Sequence, residues 1–179
     1  PRVYEEVQKL DDLIPTVEEY LNEYNQDTKT PMKLIMFMDA VEHVSRISRV
    51  LRQSQGNALL LGVGGSGRQS LCRLSTSMLE FTPYQVEIAK GYGPNEWHEN
   101  LKECLMMAGI EAKPVTFLFN DTQVIETGFL EDINGMLTSG EVSNLYPPDE
   151  KASITDCVRN DVVAAGLPTS NDNLWAAFV

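Results

Sequence analysis

Four glycines, Gly62, Gly64, Gly65 and Gly67, fall between the apolar run Leu59-Leu60-Leu61 and the polar triplet Arg68-Gln69-Ser70. Glycine turns the backbone through positive φ without steric cost, and with Ser66 among them these residues expose consecutive N–H groups. Set at the start of a helix, such groups form a concave anion site, so the chemistry on offer is phosphate binding. The spacing matches a P-loop, G-x-x-x-x-G-K-[ST], in which the Lys reaches the β/γ-phosphates and the hydroxyl holds Mg²⁺. Here the last two positions are Arg68 and Gln69. Arg68 keeps the charge, but as a planar fork rather than a compact ammonium. Gln69 offers an amide where the hydroxyl belongs, and Ser70, one residue late, is turned about 100° around a helix. Binding survives these changes better than hydrolysis does. The alternative is a glycine-rich strand-to-helix turn with no ligand.

A second polar cluster, Asn120-Asp121-Thr122, follows the apolar segment Val115 to Phe119. In P-loop hydrolases an acid at such a strand end holds Mg²⁺ and an adjacent acid orients the attacking water. Asn120 stands in the first of those places, as a candidate Mg²⁺ contact, and Asp121 in the second, as a candidate catalytic acid. An Asx turn after a strand is the alternative. His43 and His98 are the only histidines, and Cys72, Cys104 and Cys157 lack the spacing of a disulfide framework or zinc site.

The elements that must position these groups follow from periodicity. Val17, Tyr20, Leu21 and Tyr24 predict an amphipathic helix after Pro15, and Asn25 to Pro31 a loop. Leu34 and Ile35, one helix upstream of the glycines, could cover a nucleotide base or simply pack. Phe37, Val41, Val44, Ile47 and Leu51 mark a helix whose Arg46, Arg49 and Arg52 read as a solvated face, with Glu42 paired to Arg46. Residues 57–62, 84–88 and 115–120 are expected as three parallel strands, the first buried on both faces. Helices are expected after the glycine loop, from near Asn95 to Gly109, from Thr127 to Gly140, from near Asp149 to Gly166, and from Asn171 onward.

The chain has 179 residues, 42% of them hydrophobic, and a formal net charge of −12. That charge argues against a general grip on nucleic acid, whose backbone is held by basic surfaces. No apolar run approaches the roughly 18 residues of a membrane span, and the N-terminus does not read as a signal peptide. A cytosolic or contiguous location is expected, with neither nucleic acid nor membrane as partner.

Taken together, the stretches Phe37 to Ile47, Gly62 to Leu71, Phe117 to Val124, Phe129 to Asn134 and Leu137 to Val142 resemble the AAA+ modules of dynein heavy chains. The similarity is to the fourth module of the motor ring in its axonemal form. It implies an α/β P-loop NTPase fold, a three-layer αβα arrangement around a parallel sheet, here a truncated large subdomain over 37–179 preceded by a helical linker segment over 1–36. In the family's strand order the fourth strand lies between the first and third. The resemblance further implies ATP or ADP, with Mg²⁺, at Gly62, Gly64, Gly65, Ser66, Gly67, Arg68, Gln69 and Ser70, with Leu34 or Ile35 near the base. Its implied partners are neighbouring modules of the same heavy chain and, through the whole motor, microtubules and dynein intermediate and light chains. The implied setting is the cytoplasm, cytoskeleton and axoneme of cilia or flagella, in a minus-end-directed motor. Arg68, Asn120 and Asp121 depart from the family's Lys, acid and Glu, which points to a regulatory, weakly hydrolytic module. A free-standing P-loop NTPase and a nucleotide-free structural module are the other two readings.

Overall fold

Each stretch with apolar residues at helical spacing is a helix in the computed structural model, which describes residues 5–179. The first four residues of the expected linker segment lie outside the described residues. The chain divides into two compact units, Pro1–Pro83 and Tyr84–Val179.

In the first unit, α1 (Leu13–Asp27), α2 (Met38–Leu51) and α3 (Arg68–Met78) pack around Val17, Leu21, Val41, Val44 and Leu74. Pro15 sits in the first turn of α1, where a missing N–H forfeits no helical hydrogen bond. The helix continues to Asp27, so the expected loop is shorter at its start than the sequence suggests. Asn25 then closes that loop from inside the helix: its Nδ2 donates to the Met32 carbonyl at 2.9 Å, and the Met32 N–H donates to Asn25 Oδ1 at 2.7 Å. On α2, Arg46 donates to Glu42 across 3.0 Å on an exposed face, the solvated reading of the basic residues. A buried hydrogen bond from Ser75 Oγ to the Val44 carbonyl, 3.2 Å long, ties α3 to α2 beside the fully buried Leu74. The glycine loop is therefore carried by a helix that is itself anchored.

The strand expectation needs correction. Residues 57–62 form no strand, and Leu59, Leu61 and Val63 are 85%, 82% and 78% exposed. A strand meant to be buried on both faces requires hydrogen-bonded neighbours and covering layers, and among the described residues this run has no strand partner. The second strand is β1 (Thr82–Tyr84), earlier than 84–88, and the third is β2 (Val115–Phe117), shorter than 115–120. These two pair with each other, and the Leu118 N–H extends the pairing by donating to the Tyr84 carbonyl at 2.8 Å. Pro83 lies inside β1 with its side chain exposed, a position an edge strand tolerates.

Around β2 the second unit assembles α4 (Pro94–Gly109), α5 (Thr127–Ser139), α6 (Pro148–Ala164) and α7 (Asn171–Phe178). Trp97 at the start of α4 is fully buried and stacks on Phe129 of α5, with ring centroids 4.5 Å apart and planes 10° from parallel. Leu101, Ile154, Val158, Val162 and Leu174 complete this core. Gly140 ends α5 in the left-handed region at φ 78°, as the sequence suggests.

Candidate functional site

The loop between the apolar run and α3 takes its shape from two glycines. Gly65 and Gly67 have φ of 78° and 76°, a region that penalises side chains with a Cβ. Ser66 N–H closes a turn onto the Val63 carbonyl at 3.3 Å, and Leu71 N–H makes the first helical bond to Gly67 O at 2.9 Å. Because the residue preceding α3 is Gly67, no side chain caps the helix start. The positive end of the helix dipole therefore faces the loop.

Gly64 is more telling than either. Its φ lies outside the positive region, and a Cβ built there would meet no heavy atom within 4 Å. Neither backbone conformation nor packing within the chain requires glycine at that place. The main chain there is open to the close approach of a ligand, and the same open space surrounds Gly65 and Gly67. The residues present therefore fit a phosphate group on their exposed face.

Arg68 is turned the other way. Its Nη1 donates to the Leu60 carbonyl at 3.4 Å and its Nη2 to the Val63 carbonyl at 3.3 Å. Its stem passes Gly62, where an added Cβ would stand 3.3 Å from Ser66 Oγ and 3.6 Å from Arg68 Cδ. Gln69 is exposed and Ser70 half-buried on the first turn of α3. Of the two expected base contacts, Leu34 packs partly buried against the core of the first unit, the cluster that also holds Leu71, whereas Ile35 is 86% exposed.

Asn120 and Asp121 belong to the second unit. Asn120 Oδ1 accepts the Thr122 N–H at 3.0 Å and also the Thr122 hydroxyl. Gln123 Oε1 accepts the Asn120 N–H at 2.8 Å, and buried Gln123 donates through Nε2 to the Val86 carbonyl. The result is a reciprocally capped 3₁₀ turn, Asp121–Gln123, with Asp121 exposed at its start. A metal at Asn120 would share an oxygen already engaged by two donors. The role of Gln123 was legible in the N-x-x-Q spacing but went unread.

The sequence reading also missed Asp132, whose Oδ2 accepts from Trp97 Nε1 at 2.9 Å and lies 3.0 Å from His98 Nε2. No local signal links residues so far apart in the chain. Lys102 likewise bridges Glu99 at 3.2 Å and Glu150 at 2.9 Å, joining α4 to α6.

A glycine loop opening an anchored helix, with a small sheet and helices downstream, defines a P-loop protein of α/β class. Residues 32–179 match the family described as "P-loop containing dynein motor region D4". Over 175 residues the chain is 47% identical to "Dynein axonemal heavy chain 1" of Rattus norvegicus, covering 98% of this chain and 4% of that protein. It is 44% identical over 180 residues to "Dynein axonemal heavy chain 2" of Homo sapiens, covering 100% of this chain and 4% of that protein. With "Dynein axonemal heavy chain 3" of Homo sapiens the identity is 47% over 155 residues, 87% of this chain and 4% of that protein. The chain belongs to the family of P-loop containing dynein motor region D4. It spans about 4% of the length of these curated relatives.

Proposed function

We propose that this chain is the fourth AAA+ module of an axonemal dynein heavy chain and that it binds ATP or ADP without turning it over at an appreciable rate. The observation that carries the binding half is the open main chain at Gly64, Gly65 and Gly67 in front of the uncapped start of α3. The phosphates would rest on the N–H groups of Gly64 to Gln69, and Leu34 or Ile35 would border the base. A bound Mg²⁺ would neutralise phosphate charge.

The catalytic half rests on groups turned to other work. Arg68 donates to its own loop, Gln69 has no hydroxyl for a metal, and Asn120 holds its own turn. Asp121 keeps an acid but is one methylene shorter than a glutamate. Phosphoryl transfer depends on charge neutralisation and water positioning, and loss of one well-placed group typically costs about a hundredfold to a thousandfold. On this reading the module is a nucleotide-held regulator, and hydrolysis belongs to other modules of the same heavy chain. The segment before residue 37, which carries α1, acts as a lead-in to the AAA+ region. The motor as a whole would engage microtubules and its intermediate and light chains in the axoneme.

Titration of the intact protein with fluorescent ADP, competed by ATP and by adenosine, tests this. Competition by ATP but not by adenosine is expected, since the phosphates supply the contact. Absence of ADP binding at millimolar concentration would leave a purely structural module.

A further inference from the structure

We propose that Arg68 is a positioning residue, a strap that holds the glycine loop to the end of the apolar run, and that it does not serve as a phosphate ligand. The proposal deepens the nucleotide-binding reading and rests on it for the ligand, though the strap itself is a property of the protein alone.

Two carbonyls, those of Leu60 and Val63, take the two terminal nitrogens of one guanidinium at 3.4 and 3.3 Å. Both belong to a stretch with no strand partner among the described residues, so Arg68 supplies donors that a neighbouring strand would otherwise supply. A rigid fork with several N–H groups spans two acceptors at once, which a lysine ammonium on a flexible stem does far less well. The stem lies alongside Gly62, where an added Cβ would stand in ordinary van der Waals contact with it, 3.6 and 3.7 Å from Arg68 Cδ and Nε.

The strap has a consequence at the binding face. In a planar trans peptide the C=O and the following N–H point in opposite directions. Holding the Val63 carbonyl toward Arg68 therefore turns the Gly64 N–H away from Arg68, at the glycine whose open face no packing explains. Arg68 thus aims a donor at the phosphate site while its own charge stays behind the loop. This accounts for a P-loop that tolerates arginine where lysine is usual.

Hydrogen exchange on the intact, nucleotide-free protein separates the two roles. In Arg68→Ala and Arg68→Lys, exchange at Gly64 to Ser66 should rise roughly three- to tenfold, as expected for losing one or two modest hydrogen bonds. Exchange in α2 should not change, which controls for folding, and Arg68→Gln provides a second, uncharged variant. ADP and ATP should weaken by the same factor, because a displaced loop affects both equally. Unchanged loop exchange, or an ATP loss exceeding the ADP loss, would overturn the strap in favour of a direct phosphate contact. If the loop loosens in the variants while the wild-type protein binds no ADP, the strap stands and the nucleotide reading falls.

Discussion

Leu59 and Trp97 are both large apolar residues in strongly apolar stretches, yet one is 85% exposed and the other fully buried. Trp97 sits on a helix whose backbone bonds are internal, so its burial needs only a face to pack against, and Phe129 with Asp132 provides one. Leu59 sits in a stretch that is neither helix nor strand, which leaves its N–H and C=O groups to be satisfied from outside. The difference teaches that helical regions of this chain carry their own structure, whereas the apolar run before the loop depends on what lies beside it.

The comparison breaks most visibly at its buried end. Trp97→Ala removes the stack on Phe129 and leaves Asp132 one donor short, and a loss of about 3–5 kcal/mol is expected in denaturant unfolding. A loss below about 1 kcal/mol would mean the second unit does not depend on this pair.

At the open end, Gly67→Val forces a β-branched residue to φ 76°, at a strain of about 1–3 kcal/mol. The surrounding space is empty, so the fold should persist while ADP affinity falls beyond detection in the same titration. Unchanged affinity would remove the loop as the site.

Asn120→Ala sharpens the comparison at the tip after β2. It deletes the acceptor for Thr122 and should cost about 1 kcal/mol, the usual worth of such a cap. An equal loss of Mg²⁺-dependent nucleotide binding would show that the same oxygen also serves a metal.

Burial, helped by the charge of Glu103, pushes the Cys104 thiol up to about 11 from its ordinary 9.0. The folded state therefore favours the protonated thiol; this contribution to stability is full below about pH 9 and lost as the pH rises towards 11. Near pH 8 a thiol reagent should label exposed Cys157 well before buried Cys104. The smallest effect belongs to Asp121→Asn, which should leave the ATPase rate of the intact motor almost unchanged. A large fall would show that this acid is catalytically engaged.

What the sequence made legible follows the same division. Helices α2 through α7 fall close to where periodicity and caps place them, because Val41, Val44 and Ile47 or Trp97, Leu101 and Cys104 report a repeat written in consecutive residues. The P-loop was legible because its glycines, Gly65 and Gly67 among them at positive φ, are written within a short run of consecutive residues. The strand at 57–62 was not, since its apolar content describes a burial that only neighbouring strands could provide. Nor was the Arg68 geometry: charge and spacing name a cation beside a phosphate loop, but not which way its fork points. Asp132 was invisible for a different reason, as its partners Trp97 and His98 meet it only after α4 and α5 have packed.

The exposed apolar run before the loop also bears on how the protein behaves in solution. Leu59, Leu61 and Val63 alternate along one stretch without regular structure and stand open. Such a stretch invites addition of a strand from any other chain, including another copy. Expressed by itself, this stretch of protein should self-associate with rising concentration, and a charged residue in place of Leu61 should improve its solubility.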